Sequence, residues 1–426
     1  MMTHKAFNRI DSGENKYSVK SFYGLGIAPK ILDILEHIKF KVPTPIQEKA
    51  IPLAIQGKDI IGIAQTGTGK THSFAIPMVQ LLEQKKGTGL VLAPTRELAI
   101  QIDEAFQDIV QSFRMTTACL IGGAPMHDQV TALRRNPRVV IATPGRLIDH
   151  MGQWNFLPEH VVMLVLDEAD RMLDMGFAPQ IDKILRFLPK ERQTMLFSAT
   201  IPKEIMGIAA KHMKLPVSVE IAPSGTTVEL VTQELFIVKK EAKLRLLSKL
   251  LAKYQGAVLL FSRTKHNARK IMRSIKEMGY SAAEMHSNRS LNQRREALDG
   301  FKSGRYKVLV ATDIAARGID VVGIELVINY DLPEDAENYV HRIGRTARAG
   351  QHGHAVSFAT PEQSRDVRDI EKLIRSTLPV SKHPELPAEQ FIESKNNFLR
   401  VKPKQYQVRR KNHFHGIKDK NRRSHA

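Results

Sequence analysis

Two short runs carry residue types and spacing that could do chemistry. The first is Ala64-Gln65-Thr66-Gly67-Thr68-Gly69-Lys70-Thr71, which follows an apolar stretch and precedes a helix-length segment. Glycines let the backbone bend until successive N–H groups face one anion, and a helix N-terminus adds its positive end. Lys70 then reaches the β- and γ-phosphates of a nucleotide, and the Thr71 hydroxyl ligates Mg²⁺. The usual pattern begins with Gly, and Ala64 stands in that place here. A plain Gly-rich turn is the bland alternative, and the intact GTGKT in a strand–loop–helix context argues against it.

The second run is the apolar Val161-Val162-Met163-Leu164-Val165-Leu166, which ends abruptly in Asp167-Glu168-Ala169-Asp170. Ligands of open α/β sheets bind at the carboxyl ends of strands. Mg²⁺ takes one or two carboxylates together with phosphate and water. Asp167 is therefore the expected Mg²⁺ partner, through water. Glu168 would position or deprotonate the water that attacks the phosphate. Alone, such an Asp-Glu pair is an ordinary solvated surface pair. The buried strand before it and the phosphate loop upstream change that weighting.

These runs need strands to deliver them. Apolar, β-rich segments near 59–64, 90–93, 139–142, 162–166 and 194–197 alternate with helix-length segments, and so do 235–238, 257–261, 307–311, 326–329 and 355–359. Amphipathic stretches such as 241–253 and 267–278 lie between them. Alternation of this kind predicts βαβ units, an α/β class and two parallel sheets. The turn-rich segment Ala222-Pro223-Ser224-Gly225-Thr226-Thr227 is the expected linker. Domains are expected at 21–221 and 228–380, with an N-terminal extension at 1–20 and a basic tail at 381–426.

Composition bounds the partners. The 426 residues carry 64 Lys and Arg against 44 Asp and Glu, a formal charge of +20. Such an excess favours a polyanion, most often nucleic acid. At 42% hydrophobic residues the chain can build cores. No apolar stretch approaches the roughly 18 residues of a membrane span, and the start shows no apolar signal segment. One cysteine, Cys119, excludes an intramolecular disulfide and a Cys-rich zinc site. A reducing cytoplasm is the simplest location, and the basic clusters leave a nuclear one open. From Arg400 to Ala426 ten Lys or Arg face one acid, Asp419. This tail is expected to be disordered and to tether nucleic acid, with Phe398, Tyr406 and Phe414 as stacking groups.

The motif series PTPIQ (43–47), AQTGTGKT (64–71), PTRELA (94–99), GG (122–123), TPGR (143–146), DEAD (167–170), SAT (198–200), LLFSRT (259–264), ATDIAARGID (311–320) and HRIGRTAR (341–348) resembles the DEAD-box ATP-dependent RNA helicases, in the family's order and over about 21–378. Within that family it looks most like the small bacterial RhlE-like branch. The resemblance implies two RecA-like domains, ATP and Mg²⁺ as cofactors, and sequence-independent binding of single-stranded or short duplex RNA. It makes ribosome assembly and RNA decay both plausible settings.

The same resemblance assigns roles. Gln47 would read the adenine edge with both ends of its amide, and Phe22 would stack on the base, with ordinary core packing as its alternative. Asp320 would hold the ribose. Arg345 and Arg348 would be arginine fingers from the second domain. Asp170 with His341, and Ser198 with Thr200, would couple the nucleotide to domain closure. The RNA-facing residues would be Thr95, Arg96, Gly122, Gly123, Thr143, Gly145 and Arg146 in the first domain, and Arg263, Arg294 and Thr312 in the second. Gly permits close approach to the RNA backbone while Arg and Thr donate to it. The sequence departs from the family at Leu291, where Gln is usual, at Lys39, and at Ala347. A DNA translocase on the same engine, an ATP-gated RNA clamp, and a structural RNA-binding protein are the rival readings.

Overall fold

The computed structural model describes residues 21–64, 68–221, 231–316, 321, 323–347 and 353–392. Gln65, Thr66, Gly67, Asp320 and Arg348 lie outside the described residues, as do the expected linker at 222–227, the extension at 1–20 and the basic tail from 393 onward.

The first sheet has seven strands: β1 (Ile60–Ile63), β2 (Thr88–Leu92), β3 (Thr117–Leu120), β4 (Val139–Ala142), β5 (Val161–Leu166), β6 (Gln193–Ser198) and β7 (Val217–Glu220). Their order is β3-β4-β2-β5-β6-β1-β7, and every pairing is parallel. The second sheet has six: β8 (Val231–Ile237), β9 (Ala257–Phe261), β10 (Ala282–Met285), β11 (Val308–Ala311), β12 (Ile324–Asn329) and β13 (Gly353–Ala359). Their order is β10-β11-β9-β12-β13-β8, again parallel throughout.

Parallel sheets need both faces covered, so their strands read as near-continuous apolar runs. Every residue of β4, β6 and β11 is buried. Each sheet has one apolar cluster on either face, among them Phe74, Phe106 and Phe197 on one side of the first and Leu259, Phe301 and Tyr339 on one side of the second. The composition shift near Ser381 does not end the packing. Val380 bridges Leu235, the Ser381 amide donates to the Leu235 carbonyl at 2.8 Å, and Phe391 packs on the second core. Among the described residues no helix is long and apolar enough to cross a membrane.

The strands place the motifs at the carboxyl edges of the two sheets. The helices that start there are α1 (Pro29–His37) and α2 (Pro45–Ile55) beside the first sheet, then α3 (Lys70–Gln84), α4 (Arg96–Val110), α5 (Met126–Arg134), α6 (Pro144–Gly152) and α7 (Ala169–Asp174). Local chemistry sets their starts. Thr95 caps α4, its hydroxyl oxygen accepting from the Leu98 amide at 3.2 Å. Pro144 opens α6, where a missing N–H costs nothing.

In the second domain Arg342 is fully buried and holds the carboxyl edge together. It pairs with both carboxylate oxygens of Asp313 at 2.6 and 2.7 Å, and donates to the Asn329 side chain and the Asp331 carbonyl at 3.1 and 2.6 Å. Its guanidinium also lies over the Phe261 ring at 5.1 Å. Removing one partner of a buried pair strands the other charge. Arg342→Ala is therefore expected to destabilise the second domain by about 3 kcal/mol. A urea melt checks this, and an unchanged midpoint contradicts it.

Candidate ATP site and RNA face

The phosphate loop leaves β1 and enters α3 at Lys70. Gly69 precedes that helix at φ 85°, in the left-handed region, and a Cβ there would stand 2.6 Å from Gln47 Nε2. Only glycine fits both constraints. Lys70 is buried and its ammonium donates to the Ala64 carbonyl at 3.0 Å, so the side chain spans the base of the loop. Thr71 is half-buried in the first turn of α3.

Gln47 is placed beside this loop, with its amide already engaged at both ends. Its Oε1 accepts from the Thr44 amide and its Nε2 donates to the Gly69 carbonyl, both at 2.9 Å. It ties the start of α2 to the phosphate loop, and each end of the amide keeps one further lone pair or N–H with which to read adenine. Phe22 is 3% exposed inside the first core, packed among residues of that cluster rather than presented as an open stacking face.

Asp167 and Glu168 follow β5 and are both buried. Burial pushes the Asp167 carboxyl up to about 6, with the Lys70 ammonium opposing it. Glu168 sits at φ 50°, a left-handed conformation that costs a non-glycine residue on the order of 1 kcal/mol and clusters at functional sites. Its Oε2 pairs with Arg171 in a buried contact, while Oε1 is buried with no hydrogen-bond partner. Burial alone would raise the Glu168 pKa. Arg171, Lys70 and Arg345 together outweigh it and hold the carboxylate below its ordinary range. An ionised, one-sided carboxylate aimed beside a phosphate loop can accept a proton from water.

Asp170 points the other way and joins the DEAD turn to the SAT turn. Its Oδ2 accepts from the Ala199 amide at 3.0 Å, the Thr200 amide at 2.9 Å and the Thr200 hydroxyl at 3.2 Å. The Ser198 hydroxyl oxygen accepts from the Asp170 amide at 3.2 Å. Burial raises the Asp170 pKa, but Lys70 first, then the Thr200 and Arg171 amides, bring it below the usual value.

His341 and Arg345 reach this cluster from the second domain. Both lie on or just after the helix Ala336–Ile343. Arg345 is 2% exposed, and its Nε donates to the His341 carbonyl at 3.2 Å. Burial first, then Arg171, pushes His341 down to about 4, with Asp170 opposing, so the ring is neutral at neutral pH. Lys70, Glu168, Asp170, His341 and Arg345 thus form one electrostatic unit drawn from both domains.

The RNA-assigned residues of the first domain line the ends of β2, β3 and β4. Arg96 is half-buried and lies across Gly122 and Gly123. A Cβ on Gly123, at φ 82°, would collide with its guanidinium. Arg146 donates to the Ala124 carbonyl at 3.1 Å. Burial lowers the Arg96 pKa, and Arg294 and Arg146 lower it further, with Glu97 opposing. Three guanidinium groups held this close form a surface that a polyanion stabilises. Gly145 has open space around its Cα. Thr143 is nearly buried with its hydroxyl 3.5 Å from the Leu120 carbonyl.

In the second domain the Arg263 side chain donates to the Leu332 carbonyl at 3.2 Å, and the Thr312 amide to the Met285 carbonyl at 3.2 Å. Arg294 instead crosses to the first domain, where it pairs with Glu97 at 3.0 Å. Leu291, the departure noted above, packs against the first domain's core.

Three partners escaped the sequence reading: Arg171, Arg342 and Glu97. Arg171 had a signal, since it lies three residues after Glu168 and so shares its helix face. The other two pair with residues far away in sequence.

Comparison with known proteins shows the family. The DEAD/DEAH box helicase family matches residues 44–208, and the helicase conserved C-terminal domain matches 242–350. The chain is 41% identical to the ATP-dependent rRNA helicase RRP3 of Debaryomyces hansenii, over 89% of this chain and 80% of that protein. Among solved structures it resembles S. cerevisiae Dbp5 bound to RNA and ADP BeF3, with a TM-score of 0.77, 32% identity, and coverage of 85% and 95%. The DEAD-box helicase Mss116 bound to ssRNA and UDP-BeF gives a TM-score of 0.78 at 28% identity, over 85% and 79%. The expected likeness to the bacterial RhlE-like branch does not stand, because these curated relatives are eukaryotic rRNA helicases, RRP3 of Candida albicans at 42% among them.

Proposed function

The chain belongs to the DEAD/DEAH box helicases and is an ATP-dependent RNA helicase of the DEAD-box type, and we propose that it melts short RNA duplexes locally by closing its two domains on ATP and one RNA strand. The observation that carries this reading is the Glu168 carboxylate, whose charge is balanced by Lys70 and Arg171 of the first domain and Arg345 of the second. Neither domain alone has a complete site.

In this reading Glu168 takes the proton of the attacking water through its unpartnered Oε1. Lys70 leaves the Ala64 carbonyl for the phosphates. Arg345, with Arg348, stabilises charge on the transferring phosphoryl group. Asp170, through the Ser198–Thr200 turn, and His341 report that state across the interface. Gln47 bounds the base, and Asp320 the ribose. The buried Asp167 carboxyl at the end of β5 and the Thr71 hydroxyl at the start of α3 are oxygen donors of the kind Mg²⁺ takes; those two residues would hold the ion, which would neutralise the triphosphate.

The RNA strand runs over Thr95, Arg96, Gly122, Gly123, Thr143, Gly145 and Arg146 and is completed by Arg263, Arg294 and Thr312. Backbone-directed groups of this kind bind without reading bases. The Glu97 carboxylate holds Arg294 until a phosphate competes for it. The basic tail adds an RNA tether. Relatives named as rRNA helicases make ribosome precursors the favoured RNA, in the cytoplasm or the nucleus.

Duplex release under multiple turnover tests the reading. A short RNA duplex is expected to be separated with ATP and a matched DNA duplex left intact. Equal release of both overturns RNA as the substrate. On the RNA face, Arg146→Ala is expected to weaken RNA binding roughly tenfold and to flatten the slope of log affinity against log salt by about one. An unchanged slope removes Arg146 from the interface.

A further inference from the structure

We propose that Gln129 and His150 form a buried positioning pair that holds the Gly122–Gly123 loop and the Thr143–Arg146 turn in one RNA-binding shape. The proposal rests on the RNA-face reading above and adds residues that do not touch RNA.

A loop built on two glycines has no side chains with which to anchor itself, and Gly123 leaves the ordinary backbone regions at φ 82°. Something outside the loop must fix it. Gln129, on the first turns of α5, is 5% exposed. Its Nε2 lies 3.0 Å from the Ile121 carbonyl, 3.3 Å from that of Ala124 and 3.4 Å from that of Pro125. Ile121 and Ala124 are the residues on either side of the two glycines. One amide therefore clasps both ends of the loop that lies beneath Arg96.

The amide is itself held from α6. His150 is fully buried, and its Nε2 stands 3.2 Å from Gln129 Oε1. That oxygen can only accept, so the ring hydrogen is on Nε2. His150 Nδ1 is then bare, and it is buried with no partner. Burial and Arg146 both lower the His150 pKa, which keeps the ring neutral as this arrangement requires. Four residues earlier on the same helix, Arg146 donates to the Ala124 carbonyl that Gln129 also approaches. Residues four apart share one helix face. Two side chains of α6 thus grip the glycine loop, one directly and one through Gln129. A shift of the TPGR turn moves the GG loop with it.

The test is RNA-stimulated ATP hydrolysis at varied single-stranded RNA, with Gln129→Leu, His150→Phe, His150→Gln and Arg146→Ala compared with wild type. Losing a buried hydrogen bond that shapes the site is expected to raise the half-saturating RNA concentration roughly tenfold in Gln129→Leu and His150→Phe. Turnover at saturating RNA and the KM for ATP should stay within about twofold. His150→Gln keeps an N–H donor near the Nε2 position and should restore wild-type half-saturation. The inference is overturned if His150→Phe melts normally yet keeps wild-type half-saturation, or if His150→Gln behaves like His150→Phe. It is also overturned if KM for ATP and turnover change in step with RNA affinity. If Arg146→Ala leaves half-saturation unchanged, the RNA-face reading itself fails. If it raises half-saturation while the Gln129 and His150 variants do not, only the positioning pair fails.

Discussion

Glu168→Gln is expected to lower RNA-stimulated ATP turnover by about a hundredfold or more while leaving ATP and RNA binding intact. General base catalysis contributes about 10²- to 10⁴-fold, and a neutral amide cannot take the proton. The substitution keeps the size of the side chain and an oxygen that can accept from Arg171, so the buried contact survives in shape. The free Oε1 is the atom that matters. It is buried without a hydrogen-bond partner, which leaves it free to accept from a water in the site. Because hydrolysis would reset the open state, the variant should accumulate a closed complex with ATP and RNA. Single-turnover hydrolysis and RNA retention in excess ATP measure both effects. Turnover within about threefold of wild type would take Glu168 out of the catalytic role.

Arg345→Ala should be as damaging by a different route. An arginine finger is worth about 10³- to 10⁵-fold in turnover. Arg345 reaches the Glu168 cluster only because both domains contribute to it, and it lies buried against the His341 carbonyl. Its loss should therefore spare ATP binding, which the first domain performs, and remove the stimulation by RNA. Nucleotide affinity measured alongside RNA-stimulated turnover separates the two. If both fall together, Arg345 is a binding residue. If neither falls, the finger assignment is wrong.

The chemistry was legible in the sequence where it is contiguous. AQTGTGKT and DEAD each bring their groups together within one turn of chain, because a loop that cradles phosphate or a strand end that offers carboxylates is local by construction. The sheets were legible where strands are long runs of Val, Ile and Leu, as in β5 and β9. Three strands were not. β3 reads TACL and β7 reads VSVE, each only four residues with polar or exposed positions. β10 reads AAEM, whose Ala and Glu are poor strand formers, and it is a strand because neighbours bury it. β8 begins at Val231, earlier than its apolar centre suggested, because pairing with β13 extends it.

Pairings across the fold were not legible at all. Glu97 with Arg294, Arg342 with Asp313, and Gln129 with His150 join residues that no spacing relates. Leu291 looked like a lost RNA contact and is also an apolar contact between domains. Gln47 was assigned to adenine from its motif, and the fold gives its amide two partners within the chain.

The most direct test of the two-domain account is ATP hydrolysis by the purified protein with and without single-stranded RNA, with Lys70→Ala as the blank. The account predicts weak hydrolysis alone, strong stimulation by RNA, and loss of both in the blank. Hydrolysis that vanishes in the blank but is indifferent to RNA would leave the ATP site standing and contradict the coupling of that site to RNA through domain closure.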